Sequence, residues 1–146
     1  MVRYLIAAGA KVELKSDDGM TALHLATQNG HLECAHIILG SNNLPKNHIN
    51  VKDDGGWTPL VWACEHKHEA VIRFLLEQGC DPFATDVEMN VALHWAAFSG
   101  EYKCVCLKWF LNLFILFKDQ KLLLSFYLHL VAMLTKQMQL EKHLCI

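Results

Sequence analysis

Residues 54–81, DGGWTPLVWACEHKHEAVIRFLLEQGCD, contain the pattern that decides the fold. Thr58 is followed at once by Pro59, and a hydroxyl cap with proline at the next position is typical of a helix start. The apolar residues from Val71 onward recur at helical spacing. Gly79 then stands where this second helix would end with a positive φ angle. The stretch therefore predicts a turn followed by two paired helices.

The pattern occurs three times, and the repeat predicts the architecture. Its copies are DDGMTALHLATQNGHLECAHIILGS, residues 54–81 and VEMNVALHWAAFSG, whose central leucines are Leu23, Leu60 and Leu93. These leucines are separated by 37 and then 33 residues. A 33-residue period with a T-P-L-H-x-A core resembles the ankyrin repeat. The four extra residues fall in the polar stretch 41–50, SNNLPKNHIN, which predicts a longer loop.

We therefore expect an all-α ankyrin-repeat solenoid of stacked helix–turn–helix units with finger loops, because one unit cannot bury its own apolar face. The repeats should lie within residues 1–100. The predicted units are a partial repeat 1–16, repeats 17–50 and 51–84, a partial repeat 85–107, and a divergent, apolar, helical tail 108–146.

Composition excludes several classes of function. A net charge of −2 is unlike that of a general nucleic-acid binder, and the apolar run after Met1 is too short for a signal peptide. The six cysteines are therefore expected as free thiols, with Cys34, Cys64 and Cys80 in small buried positions. Cys104 and Cys106 form only a C-x-C pair, so neither zinc nor another cofactor is expected. No nucleophile–base pair or phosphate loop is present, so we do not expect an enzyme.

Two further positions have structural interpretations. His24 and His94 stand at the histidine of the repeat core, where we expect a hydrogen bond to backbone between repeats rather than metal binding. Lys67 occupies the usual glycine position, which predicts a small strain if its φ angle is positive.

Three tryptophans do not fit a role in the core. Trp62 takes the variable position of T-P-L-H-x-A, Trp95 takes it one repeat later, and Leu25 one repeat earlier. This position lies on the inner helix, toward the concave groove where stacked repeats bind partners. Trp57 should approach from the finger. Together the three rings are expected to wall one small cleft.

Two carboxylates complete the candidate site. Glu65 follows Trp62 by three residues and shares its helix face, and Glu88 lies in the finger that leads to Trp95. Aromatic walls with carboxylates describe a cage for a methylated ammonium ion. A mono- or dimethyl ammonium keeps an N–H that a carboxylate can accept, so the lower methylation states should be preferred. Alternatively, the rings hold a partner's apolar side chain and the carboxylates are merely solvated.

The run DDGGWTPLVWACEHKH, residues 53–68, followed by ALHWAAFSG, resembles the ankyrin-repeat region of the euchromatic histone-lysine methyltransferases over about residues 1–100. The resemblance implies a nuclear, chromatin-bound reader of the histone-3 tail mono- or dimethylated at lysine nine. Other chromatin proteins are possible partners, and direct contact with nucleic acid is not expected. The resemblance assigns the cage to Trp57, Trp62, Glu65 and Trp95, with Glu88 as an acidic contact beside it.

The sequence departs from this family because it contains no SET catalytic domain and no pre-SET zinc cluster. The resemblance therefore implies a reader fragment without methyltransferase activity. The alternative is a generic ankyrin scaffold that binds an unmodified protein partner through the same groove.

The tail from residue 101 has no repeat core. Its two apolar runs are each shorter than the ~20 residues that cross a bilayer, so a membrane span is not expected. Trp109 is assigned to packing within the tail. The tail either covers the open end of the stack as one or two helices or, as we favour, is unrelated to the family, such as a translated intron.

Overall fold

The computed structural model describes residues 1–41, 44–45 and 47–99. The predictions for the tail, for its Cys104, Cys106, Cys145 and Trp109, and for the end of the last partial repeat lie outside the described residues. Within the described part, all regular structure is helical. The six α-helices are α1 (Val2–Ala7), α2 (Ala22–Gln28), α3 (Leu32–Leu39), α4 (Pro59–Glu65), α5 (Glu69–Glu77) and α6 (Ala92–Phe98). The all-α prediction is confirmed.

The helices form two rows. Helices α2, α4 and α6 pack against one another in one row, while α1, α3 and α5 form the other. Helix α2 pairs with α3, and α4 pairs with α5, so each pair is one unit of the stack. A short 3-10 helix, His48–Asn50, lies in the longer loop between these two pairs and contacts α4.

The core lies between the rows, because each helix turns its apolar side toward the neighbouring pair. Leu23, Ala35, Ile38 and Phe74 belong to one buried cluster, against which the half-buried Ile6 of α1 also packs. The second pair buries its own set of apolar side chains: Leu60, Val61, Ala63, Cys64, Val71, Ile72 and Leu75.

The predicted helix ends are confirmed. The Thr58 hydroxyl accepts a hydrogen bond from the backbone N–H of Val61 at 3.4 Å, and Pro59 is the first residue of α4. Gly79 has a φ angle of +80° just after α5. Lys67 has a φ angle of +62°, at the position that Gly30 occupies with +72° in the preceding pair. The strain expected at Lys67 is therefore present.

Side chains also join one repeat to the next. The Nδ1 atom of His24 accepts the backbone N–H of Thr21, so Nε2 carries the proton and donates to the carbonyl of Trp57 at 3.0 Å. The bond predicted for His24 between repeats is thus confirmed. Burial lowers the pKa of His24 and keeps it neutral. The Nζ atom of Lys15 donates to the carbonyl of Lys52, and Nζ of Lys52 donates to that of Thr85.

The three cysteines of the described part are present as thiols and not in disulfides. Cys64 and Cys80 are buried, as predicted, and burial assisted by the charge of Asp81 raises the pKa of Cys80 to about 12. Cys34 was expected to be buried but is only half-buried, because it lies at the edge of the core cluster on α3.

Among the described residues, no helix has the length and apolar character needed to span a membrane.

Candidate functional site

A closed turn sets the position of the first tryptophan. The backbone N–H of Asp53 donates to the carbonyl of Trp57, and the N–H of Gly56 donates back to the carbonyl of Asp53, both at 3.0 Å. Gly56 has a φ angle of +77°, and a Cβ atom there would lie 2.9 Å from the backbone nitrogen of Val87 in the next finger. Glycine is therefore required at this position, both for its φ angle and for the close approach of the fingers.

The structure brings the three tryptophans together. The ring centroids of Trp57 and Trp62 are 4.7 Å apart, and those of Trp57 and Trp95 are 4.3 Å apart. All three side chains are half-buried. We call this surface the tryptophan face: Trp57, Trp62 and Trp95. Trp57 lies against both other rings, so the contacting pairs leave no gap of the kind that an open cage would have.

Two aspartates hold the edges of the outer rings. The indole Nε1–H of Trp62 donates to Oδ2 of Asp53 at 2.8 Å, and that of Trp95 donates to Oδ2 of Asp86 at 2.9 Å. Neither aspartate is among the site residues predicted from the sequence. A signal for them does exist, since each stands nine residues before its tryptophan in consecutive repeats.

The carboxylate of Asp86 is charged in a buried setting. Burial alone would raise its pKa, but hydrogen bonds from the backbone N–H groups of Asn90 and Glu88 and from the indole of Trp95 outweigh burial. These donors hold the pKa of Asp86 below its ordinary value. The ion is therefore present at neutral pH, next to the edge of an indole ring.

The two predicted glutamates have different surroundings. Glu65 is half-buried, and its Oε2 atom lies 2.6 Å from Nδ1 of His66. The His66 ring lies 5.7 Å from that of Trp62, so His66, which the sequence analysis also missed, borders the tryptophan face. Glu88 is exposed, and its Oε2 atom accepts a hydrogen bond from the side-chain amide of Asn90 at 3.3 Å.

A cleft of about 350 Å³ adjoins the tryptophan face, between the first two fingers. Its lining residues are Asp18, Met20, Asp53, Asp54, Gly55, Trp57 and Trp62. The predicted cleft was walled by all three tryptophans, whereas Trp95 is not part of this lining. Trp95 instead joins the tryptophan face through its contact with Trp57. In the described part of the chain, no group of three or more side chains is arranged to hold a metal ion.

Comparison with known proteins identifies the family of these repeats. A family model described as ankyrin repeats (3 copies) matches residues 1–86 and 44–107. The chain belongs to the ankyrin-repeat family. The predicted ankyrin solenoid is thereby confirmed, and the family makes the chain a protein-interaction module, since such stacks bind partners on their concave surface.

Individual relatives support the family as a whole. The human ankyrin repeat domain-containing protein 63 is 33% identical over 108 residues, covering 71% of this chain and 27% of the relative. The Dictyostelium discoideum 26S proteasome non-ATPase regulatory subunit 10 is 37% identical over 73 residues, covering 50% of this chain and 30% of the relative. Human transient receptor potential cation channel subfamily A member 1 is 27% identical over 104 residues, covering 71% of this chain and 9% of the relative.

This ankyrin-repeat chain thus spans less than a third of the length of each of these relatives. Their names do not single out the euchromatic histone-lysine methyltransferases. The narrower resemblance, and the absence of enzymatic activity expected from the sequence, stay predictions.

Proposed function

We propose that this ankyrin-repeat module binds a mono- or dimethylated lysine side chain of a protein partner through the tryptophan face. The observation that carries the proposal is the cluster of three half-buried indole rings, in which Trp57 contacts both Trp62 and Trp95. The stability of the stack does not require an aromatic ring at the position that Trp62 and Trp95 occupy. Leu25 takes the equivalent position in the preceding pair and is 48% exposed.

The rings attract a cation through their quadrupoles. Each contributes about 0.5–2 kcal/mol, depending on how far the ion is desolvated. A methylated ammonium leaves water more easily than an unmethylated one, so it gains more from the same rings. Because the ring of Trp57 contacts both other rings, a cation enters between the rings only if the ring of Trp57 turns aside. Binding should therefore change tryptophan fluorescence.

Glu65 supplies the charge that distinguishes methylation states. It lies one helical turn from Trp62, and His66 holds its carboxylate at 2.6 Å. A mono- or dimethyl ammonium can donate its remaining N–H to a carboxylate, and a trimethyl ammonium cannot. The resemblance given above suggests the histone-3 tail methylated at lysine nine as the partner, and hence a location on nuclear chromatin.

A generic ankyrin scaffold that binds an unmodified partner is the second candidate, and the comparisons favour it. The relatives named above share the repeats, and none of their names mentions a histone or a methylated ligand. The contacting rings also form a continuous apolar surface that suits an apolar side chain.

Titration of the 146-residue chain with histone-3 tail peptides separates the two candidates. The peptides carry zero, one, two or three methyl groups on lysine nine, and tryptophan fluorescence reports binding. The proposal predicts tighter binding of the mono- and dimethyl peptides and loss of that binding in Trp62→Ala. Leu25→Ala, the same position one repeat earlier, is the matched control and should bind normally. Equal affinity for all four peptides would favour the generic scaffold.

Glu65→Gln tests the selectivity within the same assay. The amide removes the charge at nearly constant shape, so affinity for the dimethyl peptide should fall about fivefold to tenfold. Affinity for the trimethyl peptide should fall less, because that ion has no N–H to donate. An equal loss for both peptides would show that Glu65 acts only through its overall charge.

A further inference from the structure

The finger and the inner helix vary together from one repeat to the next. The residue at the start of each finger is Ser16, Asp53 and Asp86, and the residue nine positions later is Leu25, Trp62 and Trp95. An aspartate is therefore present in the two repeats that carry a tryptophan. In the repeat that carries leucine, the corresponding residue is serine.

The hydrogen bonds explain this pairing. The Ser16 hydroxyl accepts the backbone N–H of Met20, which closes the first finger. The Oδ1 atom of Asp53 accepts the backbone N–H of Trp57 at 2.8 Å and closes the second finger. The Oδ1 atom of Asp86 accepts the backbone N–H of Asn90 and closes the third. Closing the finger thus needs one acceptor atom, which serine supplies.

The second carboxylate oxygen has a different partner. The Oδ2 atoms of Asp53 and Asp86 accept the indole N–H groups of Trp62 and Trp95. Serine in the first repeat has no second oxygen, and Leu25 has no N–H to satisfy. An aspartate is thus matched to a tryptophan and would be redundant beside a leucine.

We propose that Asp53 and Asp86 are positioning residues of the tryptophan face, each joining its finger to one indole ring so that the ring orientations are set before a ligand arrives. This inference rests on the proposed function and adds the residues that prepare the site. Among the hydrogen bonds of the described residues, none joins the indole N–H of Trp57 to a carboxylate. Trp57 binds Asp53 through its backbone N–H instead. Trp57 is therefore the ring that turns aside for a cation, while Trp62 and Trp95 stay fixed.

The fixed carboxylates also favour a cationic ligand. Each accepts the indole N–H, which polarises the ring and raises the electron density of its face. A ring held in one orientation also loses less side-chain entropy on binding. Both effects strengthen the attraction between the rings and a methylated ammonium ion.

The free protein provides a test that needs no ligand. The indole N–H resonances of the ¹⁵N-labelled 146-residue chain are compared with those of Asp53→Ser and Asp86→Ser, which keep the finger acceptor as Ser16 does. Asp53→Ser should speed exchange of the Trp62 indole N–H about tenfold and leave that of Trp95 unchanged, because only the charge-assisted bond is lost. Asp86→Ser should do the reverse. An unchanged exchange rate of the Trp62 indole N–H in Asp53→Ser would overturn the proposal.

A double-substitution cycle separates positioning from a role in folding. Asp53→Ser should lower the unfolding midpoint in the wild-type background but leave it unchanged in the Trp62→Leu background, because the double variant has the same serine–leucine pair as Ser16 and Leu25. An equal loss in both backgrounds would mean that Asp53 merely stabilises the finger, and would overturn the proposal.

Peptide binding then links the two proposals. Asp53→Ser should weaken binding of the dimethyl peptide about fivefold while the chain stays folded. Unchanged binding in this variant would overturn the positioning role. If the wild type binds no methylated peptide, the proposed function fails, yet the indole exchange rates still decide whether Asp53 and Asp86 position the rings.

Discussion

Single residues show where the chain carries strain. Lys67 has a φ angle of +62° at the turn between α4 and α5, a region that costs a residue with a Cβ atom about 1–2 kcal/mol. Glycine avoids this cost but loses more backbone entropy on folding.

We expect Lys67→Gly to raise the free energy of unfolding by about 0.5–1 kcal/mol, the difference between these two terms. Urea denaturation followed by circular dichroism measures the change. Gly79→Ala is the reciprocal control and should destabilise the chain, since Gly79 has a φ angle of +80°. A stability unchanged or lowered by Lys67→Gly would contradict the strain at this turn.

Residue roles set by local geometry could be predicted from the sequence. The cap at Thr58, the positive φ angle of Gly79 and the backbone bond of His24 each follow from a position within the repeat. The bonds from Trp62 to Asp53 and from Trp95 to Asp86 could not be predicted this way, because they depend on the rotamer of a side chain nine residues away. Only the repeated spacing hinted at them.

At the scale of the helix, the cap of α4 offers a test. Thr58 is buried, and its hydroxyl accepts the N–H of Val61. Val91 stands at the same position in the next repeat, so valine is compatible with the backbone there.

Thr58→Val should therefore lower the free energy of unfolding by about 0.5–1.5 kcal/mol, because it removes the cap at nearly constant volume. Chemical denaturation gives the value, and Thr58→Ser, which keeps a hydroxyl, should recover most of the loss. Full stability of Thr58→Val would show that the 3.4 Å bond contributes nothing.

The contacts between elements were harder to predict than the elements themselves. Helical spacing and turn residues gave the helix pairs, because both are local properties of the chain. The packing of the Trp57 ring against both Trp62 and Trp95 was not part of the prediction. Whether aromatic rings contact or stand apart depends on differences of a few ångströms, which spacing along a sequence does not specify.

For the whole molecule, two buried histidines predict a dependence of stability on pH. Burial lowers the pKa of both His24 and His48 below the ordinary value of 6.5. The Nε2 atom of His48 has no hydrogen-bond partner within the described residues. The unfolded chain thus binds more protons than the folded chain just below pH 6.5. Stability should be complete above that pH and fall as the pH decreases toward the folded pKa values.

The free energy of unfolding, measured by urea titration from pH 7.5 to 5, should decrease with a slope of at most about 2.7 kcal/mol per pH unit, for two protons. His48→Leu should remove about half of this slope. Asp86 adds a separate loss of stability at lower pH. Because its pKa is depressed in the folded chain, Asp86 stabilises the fold at pH values above 3.8, and this stabilisation is lost as the pH falls toward the folded pKa. A flat profile between pH 7.5 and 5 would contradict the assignment of neutral buried histidines.

The central claim is that the tryptophan face recognises a methylated cation and not simply an apolar group. Calorimetric titration of the 146-residue chain with two peptides tests it most directly: one carries dimethyl-lysine, and the other an uncharged carbon isostere of the same shape. Attraction of the ion to the rings and to Glu65 predicts at least about tenfold tighter binding of the charged peptide. Equal affinity for the two peptides would contradict the claim and leave the face as the apolar groove of a generic ankyrin scaffold.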